Sequence, residues 1–487
     1  MNAQIIKLFG FLLMLYALLF GFTSYWSIFD AKGLEQNTAN RRPLLEEQRI
    51  DRGDILAADG ETVIAKSEPE GEGADRIFVR EYPEGDLYGN PIGYSFVERG
   101  RAGFELSHND ELVGNKTEFL SIFDELRGQP QEGSDVVSSL DSEAQEAAAD
   151  GLGSQRGSVV AMVPDTGEIR AMVSIPAYDP NALQDSDAFQ RLNADPNAPL
   201  FNRATQAGYQ PGSTMKVVTA TAALDSGEYE VDSTVSGESP KTISGAPLEN
   251  AGGENFGDIP LTDALTNSVN TVWAEVGEEL GTDTMYKYMD RFGFNAEPPL
   301  DYPGFQLASS GEFADGKLLE PGSDLIDVGR MAIGQDKLNV TPLQMAMVAA
   351  AVANDGELME PRLWSKVIDT DGREEELDPE RMSRVMSDDT ANELTEMMTD
   401  VVNEGTGGAA ALADDQVAGK TGTAEIDIEN DINQAWFIGF APADDPRIAV
   451  AATVERTGGF GGDVAAPIAQ SVMEVLLANS ATDEGED

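Results

Sequence analysis

The sequence predicts an α+β fold, an antiparallel sheet flanked by helices, with strands drawn from both ends of one domain. Two apolar runs, Gly157 to Pro164 and Glu168 to Ser174, are joined by the turn segment Asp165-Thr166-Gly167, the signature of a β-hairpin. Helical stretches dominate from Met215 to about Ala353, and Val217 to Leu224 is apolar enough to be a buried helix. After Asp369 the chain returns to short apolar strands, Val417 to Glu425, Ala435 to Ala441 and Arg447 to Val454, before a last helix over Ala466 to Leu477. A hairpin followed by helices and then strands places both ends of the domain in one sheet.

Upstream, Leu8 to Phe29 carries no charge and has about the 20 residues that a helix needs to cross a bilayer. Lys7 precedes it, and Tyr25 and Trp26 fall where an interfacial aromatic belt would lie. The run is longer than a signal peptide's apolar region, and bulky Tyr25, Trp26, Ile28 and Phe29 stand where a small-residue cleavage site would be. Residues 1–30 therefore read as a single uncleaved anchor in the cell membrane, with a cytoplasmic N-terminus and everything after Asp30 outside. Residues 31–150 read as a smaller, extended, strand-rich module. Within it Val136 to Leu140 is a short strand, and Asp141-Ser142-Glu143 opens a helix through Leu152 with an acidic first turn and an oxygen to cap it. Its Arg52-Gly53-Asp54 triplet is too short to signal adhesion, and His108 reads as a surface residue. Residues 151–479 form the main domain, and 480–487 an acidic, disordered tail.

Composition removes several chemistries. With 87 Asp and Glu against 32 Lys and Arg, the chain of 487 residues carries a net charge of -55, which repels nucleic acid and suggests a surface adapted to high salt. It has no Cys and one His, so a thiol nucleophile and a thiolate metal site are excluded, and a Ser-His-Asp triad would rest on His108 alone. No residues have metal-ligand spacing, and neither metal nor cofactor is expected. Gly458-Gly459-Phe460-Gly461-Gly462 lacks the Lys-Ser/Thr of a phosphate loop and reads as a flexible loop near the cleft. Asn115-Lys116-Thr117 and Asn339-Val340-Thr341 match glycosylation sequons by chance.

Three motifs carry the chemistry: Ser213-Thr214-Met215-Lys216, Ser268-Val269-Asn270 and Lys420-Thr421-Gly422-Thr423. Pro211-Gly212 marks a turn before an apolar helix, which puts Ser213 near a helix N-terminus and Lys216, three residues on, within reach of its hydroxyl. Burial would strip solvent from Lys216 and make it a usable base, while the helix end favours an alkoxide. Ser268 can relay a proton and Asn270 can hold a substrate amide, from a loop. Lys420, Thr421 and Thr423 offer charge and hydroxyls to a carboxylate from a strand, and Gly422 would let a ligand backbone approach. A lone Ser-x-x-Lys arises by chance about once in a chain this long, so order and context carry the weight.

These motifs resemble the signature of penicillin-binding proteins, and specifically the monofunctional class B D,D-transpeptidases of the actinobacterial PbpA type. The similarity extends to Arg52-Gly53-Asp54-Ile55, Tyr178-Asp179-Pro180-Asn181, Tyr209-Gln210-Pro211-Gly212-Ser213, Ala332-Ile333-Gly334-Gln335 and Ala435-Trp436-Phe437-Ile438-Gly439, essentially the whole chain after the anchor. The resemblance implies a serine β-lactamase/transpeptidase-like fold above a pedestal or dimerisation-like module. It implies that Ser213 attacks the D-Ala-D-Ala end of peptidoglycan stem peptides, with Lys216 as base, Ser268 as relay, Asn270 and Lys420 in the catalytic cluster, and the Ser213 and Thr423 amides as oxyanion hole. Thr421, Gly422 and Thr423 would bind substrate, and β-lactams would acylate Ser213. A SEDS-family glycan polymerase is the implied partner, since too few residues separate anchor and hairpin for a glycosyltransferase domain. A D,D-carboxypeptidase and a non-catalytic scaffold that senses β-lactams or activates a polymerase are the alternatives; a β-lactamase would need a water-activating base to which no residue can be assigned.

Overall fold

The computed structural model describes residues 2–26, 42–114 and 131–483. Helix α1 (Asn2–Ser24) contains a segment, Gln4–Ser24, of 21 residues with mean hydropathy 2.3 and none of its surface buried, long and apolar enough to cross a membrane. Tyr25 and Trp26 follow it as an edge-to-face pair with ring centres 5.7 Å apart. Ile28 and Phe29, which the sequence places at the end of the anchor, lie outside the described residues, as does the sequon at Asn115.

The strands β1 (Ile55–Leu56), β2 (Val63–Glu70), β3 (Ile77–Glu81) and β4 (Asp135–Ser138) are four neighbouring strands of one sheet. Two strands from much later in the chain, Trp364–Ile368 and Glu374–Glu376, complete six, in the order 374–376, 364–368, β4, β1, β2, β3. Residue 150 is thus a boundary along the chain that the sheet itself crosses. Beside its edge strand β3, Glu105, fully buried, pairs with Arg52 and with Arg80 of that strand. Burial pushes the Glu105 carboxyl up, but Arg80 and then Arg52 outweigh it and hold it down at about 2. His108 departs from the surface position expected of it. Its ring is buried against Phe104 and Trp364, 4.1 and 5.2 Å between centres, and Nε2 lies 3.2 Å from Asp301 Oδ2. Its sequence neighbours Ser107, Asn109 and Asp110 are polar, and its cover comes from Phe104 together with the distant Trp364 and Asp301.

After α2 (Ser142–Leu152), capped by the Asp141 side chain on Ala144 N–H, the hairpin β5 (Gly157–Met162) and β6 (Ile169–Ile175) begins the second sheet. Helices α3 (Lys216–Asp225), α4 (Asn270–Arg291) and α5 (Pro342–Ala353) precede β7 (Ala418–Asp427), β8 (Ile432–Ala441) and β9 (Ile448–Thr457). The order β7-β8-β9-β5-β6, antiparallel throughout, joins the two ends of the domain as the sequence predicts. Because side chains alternate along a strand, Val159, Ala161, Phe437 and Val450 face α2 and α6 (Gly461–Asp483), while Val160, Met162, Trp436, Ile438 and Ala451 join the core around α5. Every residue of α5 is buried, and the Thr341 hydroxyl caps its start by accepting from Gln344 N–H. Burial of each large side chain in these two layers contributes about 2–3 kcal/mol. Helix α6 continues to Asp483, past the tail boundary expected at 480, and 484–487 lie outside the described residues.

Candidate active site

The segment before Ser213 is fastened on three sides. Tyr209 exchanges backbone hydrogen bonds with Val340, Gln210 O accepts from Trp436 Nε1 at 2.9 Å, and Gly212 N–H donates to Gly334 O at 3.0 Å. Gly212 has φ +54°, and a Cβ there would lie 2.8 Å from Thr423 O, so only glycine brings this turn against β7. Ser213 then stands half-buried in a 3₁₀ turn, Gly212–Met215, that runs directly into α3. Proximity to a helix start is as expected, with the tighter turn as the refinement.

Lys216 is fully buried at the first position of α3. Its Nζ donates to Ser268 O at 2.8 Å and Asn270 Oδ1 at 2.7 Å, and lies 3.2 Å from Ser268 Oγ. Among the described residues no hydrogen bond joins Lys216 Nζ to Ser213 Oγ; the amine is held by the Ser268 carbonyl and the Asn270 carboxamide oxygen. Burial, and then the charge of Lys420, drive Lys216 well below its ordinary value. A neutral amine has two N–H groups, which those two oxygens satisfy, and a lone pair left over.

The loop achieves this with an uncommon backbone. Ser268 has φ +54°, a left-handed conformation that costs a non-glycine residue about 1 kcal/mol or more, and it turns both the carbonyl and the hydroxyl of Ser268 toward Lys216. Asn270 opens α4. Lys420, also fully buried, donates from Nζ to Ser268 Oγ at 3.0 Å and Thr421 O at 3.0 Å, and burial lowers it to about 7. Lys216, Ser268, Asn270 and Lys420 therefore form one connected cluster.

On β7, Thr421 Oγ1 lies 2.5 Å from Thr406 Oγ1, and Thr423 Oγ1 accepts from Gly461 N–H at 3.1 Å, which fastens the glycine-rich loop 458–462 to the strand. At Gly422 a Cβ would meet Pro211 O at 2.6 Å and Thr214 Cγ2 at 2.9 Å, so the absence of a side chain lets the turn that carries Ser213 pack against the strand. The motifs gave no sign of Thr406, which lies in a Gly-Thr-Gly-Gly loop, nor of Glu249, whose carbonyl accepts from Asn270 Nδ2 at 3.3 Å. Among the described residues no group of three or more His, Cys, Asp or Glu could hold a metal ion.

A serine turn backed by buried lysines thus stands beside a five-stranded antiparallel sheet, and the profile of the family described as the penicillin binding protein transpeptidase domain matches residues 157–474. The chain belongs to the penicillin-binding protein family. A second profile, the penicillin binding protein A dimerisation domain, matches residues 52–136. Full-length similarity is to the peptidoglycan D,D-transpeptidases PbpA of Mycolicibacterium smegmatis, 35% identical over 98% of this chain and 99% of the relative, and of Mycobacterium tuberculosis, 34% identical over the same shares. Among solved structures, the imipenem acyl-enzyme complex of M. tuberculosis penicillin-binding protein A superposes with TM-score 0.79 at 32% identity, covering 89% of this chain and 100% of that one. The D,D-transpeptidase domain of a peptidoglycan glycosyltransferase from Eggerthella lenta gives 0.77 at 33% identity, covering 89% and 99%.

Proposed function

We propose that the chain is a peptidoglycan D,D-transpeptidase and β-lactam target that works through an acyl-enzyme on Ser213. The observation that carries this reading is the buried cluster of Lys216, Ser268, Asn270 and Lys420 behind the Ser213 turn. Ser213 Oγ attacks the carbonyl carbon of the penultimate D-Ala of a stem peptide, and its proton passes to the Lys216 lone pair. The N–H groups of Ser213 and Thr423, which Gly212 brings together, receive the oxyanion, each worth about 3 kcal/mol. As the C–N bond breaks, Ser268 gives its proton to the departing D-Ala nitrogen and is resupplied with the proton that Lys216 took from Ser213, which leaves Lys216 neutral again, while Lys420 holds the Ser268 hydroxyl. The amine of a neighbouring stem then attacks the ester and loses its proton to Lys216, which returns it to Ser213 Oγ as the C–O bond breaks, leaving the crosslink and the resting enzyme. Thr421 and Thr423 with Lys420 bind the terminal carboxylate, with Gly422 shaping that strand.

Residues 31–150 act as a pedestal or dimerisation-like module and 151–479 as the transpeptidase domain. α1 anchors the chain with its catalytic domain on the wall side, where a SEDS-family polymerase would supply glycan. The test is product analysis with a polymerised stem-peptide donor and an amine acceptor, using full-length protein in detergent. Crosslinked dimers that vanish in Ser213→Ala support transpeptidation; hydrolysed tetrapeptide alone means a carboxypeptidase.

A further inference from the structure

We infer that Asn250 is a positioning residue for this site: with the Glu249 carbonyl it fixes which end of the Asn270 carboxamide faces Lys216. The inference rests on the acyl-serine reading above.

A carboxamide has an accepting end and a donating end of nearly equal shape, and nothing in the shape of the side chain chooses between them. At Asn270 the accepting Oδ1 lies 2.7 Å from Lys216 Nζ and the donating Nδ2 lies 3.3 Å from Glu249 O. Rotating the amide by half a turn would set oxygen against the Glu249 carbonyl, a loss at that end, whereas a neutral lysine amine can meet either end of the amide. The Glu249 carbonyl is therefore the element that selects the orientation, provided that it is itself held.

Asn250 holds it. The residue is 4% exposed. Its Oδ1 accepts from Thr271 N–H at 2.9 Å, and its Nδ2 donates to Gly237 O at 3.2 Å and Glu254 O at 3.0 Å. Its own N–H donates to Ser239 Oγ at 3.0 Å. The residue preceding α4, Val269, has no side chain able to cap the helix, so Asn250 caps it from another segment, one residue beyond Asn270. The same side chain thus ties the loop 237–254 to the first turn of α4, with Glu249 and Asn270 facing each other across the join. Asn250 has no hydrogen bond to Lys216 and acts through Asn270.

The consequence is chemical. With Oδ1 toward it, the Lys216 amine spends an N–H on Asn270 and keeps its lone pair for the proton of Ser213. With the amide turned, Nδ2 would donate into that lone pair, leaving a weaker base and a less favoured ammonium.

The test is the rate of penicillin acylation of the full-length protein as a function of pH, in Asn250→Ala, Asn270→Ala and the double variant, with folding followed by circular dichroism. The inference predicts that N250A acylates at least tenfold more slowly, with the acid limb of its profile moved to lower pH. It also predicts that the same substitution on the N270A background changes the rate less than twofold. Wild-type rates in N250A, or a defect that multiplies in full on N270A, would overturn it. Should N250A not fold, Asn250→Asp, which keeps the acceptor for Thr271 and loses both donors, is judged by the same two criteria. Failure of the wild type itself to form an adduct on Ser213 overturns the acyl-serine reading beneath it, whereas the variant results bear on Asn250 alone.

Discussion

Gly212 and Thr423 are so close that a methyl group on the first would stand 2.8 Å from the carbonyl oxygen and 3.1 Å from the nitrogen of the second. That contact joins the turn carrying Ser213 to the strand carrying the Lys-Thr-Gly-Thr motif, and it sets the spacing of the two N–H groups assigned to the oxyanion. Gly212→Ala must relieve both the clash and a φ of +54°, a strain of about 1–3 kcal/mol. Acylation by a penicillin should fall roughly a hundredfold, as reacting groups move out of line, while the thermal midpoint drops by only a few degrees. Stopped-flow acylation beside a melting curve checks this; a variant that acylates normally would show that the spacing is not critical.

Lys420 adds to the lowering of Lys216. Burial is the larger influence on Lys216 and the positive charge of Lys420 adds to it in the same direction, downward. With Lys216 as the base proposed for Ser213, acylation needs its neutral form, so the rate should rise with pH as Lys216 loses its proton. Lys420→Gln removes the charge, raises that value, and should move the acid limb of the acylation profile to higher pH whatever it does to the plateau. A midpoint moved to lower pH would contradict the assignment.

Glu312 offers a stability test away from the site. Both its carboxylate oxygens are buried without partners; burial, then Asp336, push it up to about 8, Asp327 adds to this, and Lys337 opposes them. The unfolded chain releases this proton near the ordinary 4.5 and the folded chain near 8, so stability is full below about 4.5 and is lost as pH climbs to about 8. Glu312→Gln lacks that slope. The difference in thermal midpoint, variant minus wild type, should grow from about pH 5 to about pH 9; a difference independent of pH would mean that Glu312 is ionised throughout.

The net charge of -55 predicts a salt requirement. At about 1 M salt charges are screened beyond roughly 3 Å, which removes most of the repulsion across such a surface. The unfolding midpoint should climb from low to molar potassium chloride; an unchanged midpoint would mean that the acidic surface is not an adaptation to salt.

Much of this was legible in the sequence because it is local or periodic. The hairpin at Gly157 to Ser174, the late strands and the order of the three motifs follow from alternation and turn residues, and they suffice to place Ser213, Lys216 and Lys420 on a turn, a helix and a strand. What the sequence hides is contact between segments far apart. Nothing near residue 105 shows that Trp364–Ile368 will pair with β4 and bury His108. Helical spacing puts Lys216 on the side of Ser213, yet the hydrogen bonds of the amine go to the 268–270 loop, where Ser268 O and Asn270 Oδ1 lie at 2.8 and 2.7 Å, a contact that no local pattern foretells. Asn250 looks like one more turn residue before Ala-Gly-Gly until the chain brings it to α4.

The most direct test of the central claim is the intact mass of the full-length protein in detergent and high salt after incubation with a labelled penicillin, beside Ser213→Ala. The account predicts a single stable adduct on the wild type, mapped to Ser213, and none on the variant. A folded wild type that takes no label, or a variant that takes it equally, would contradict it.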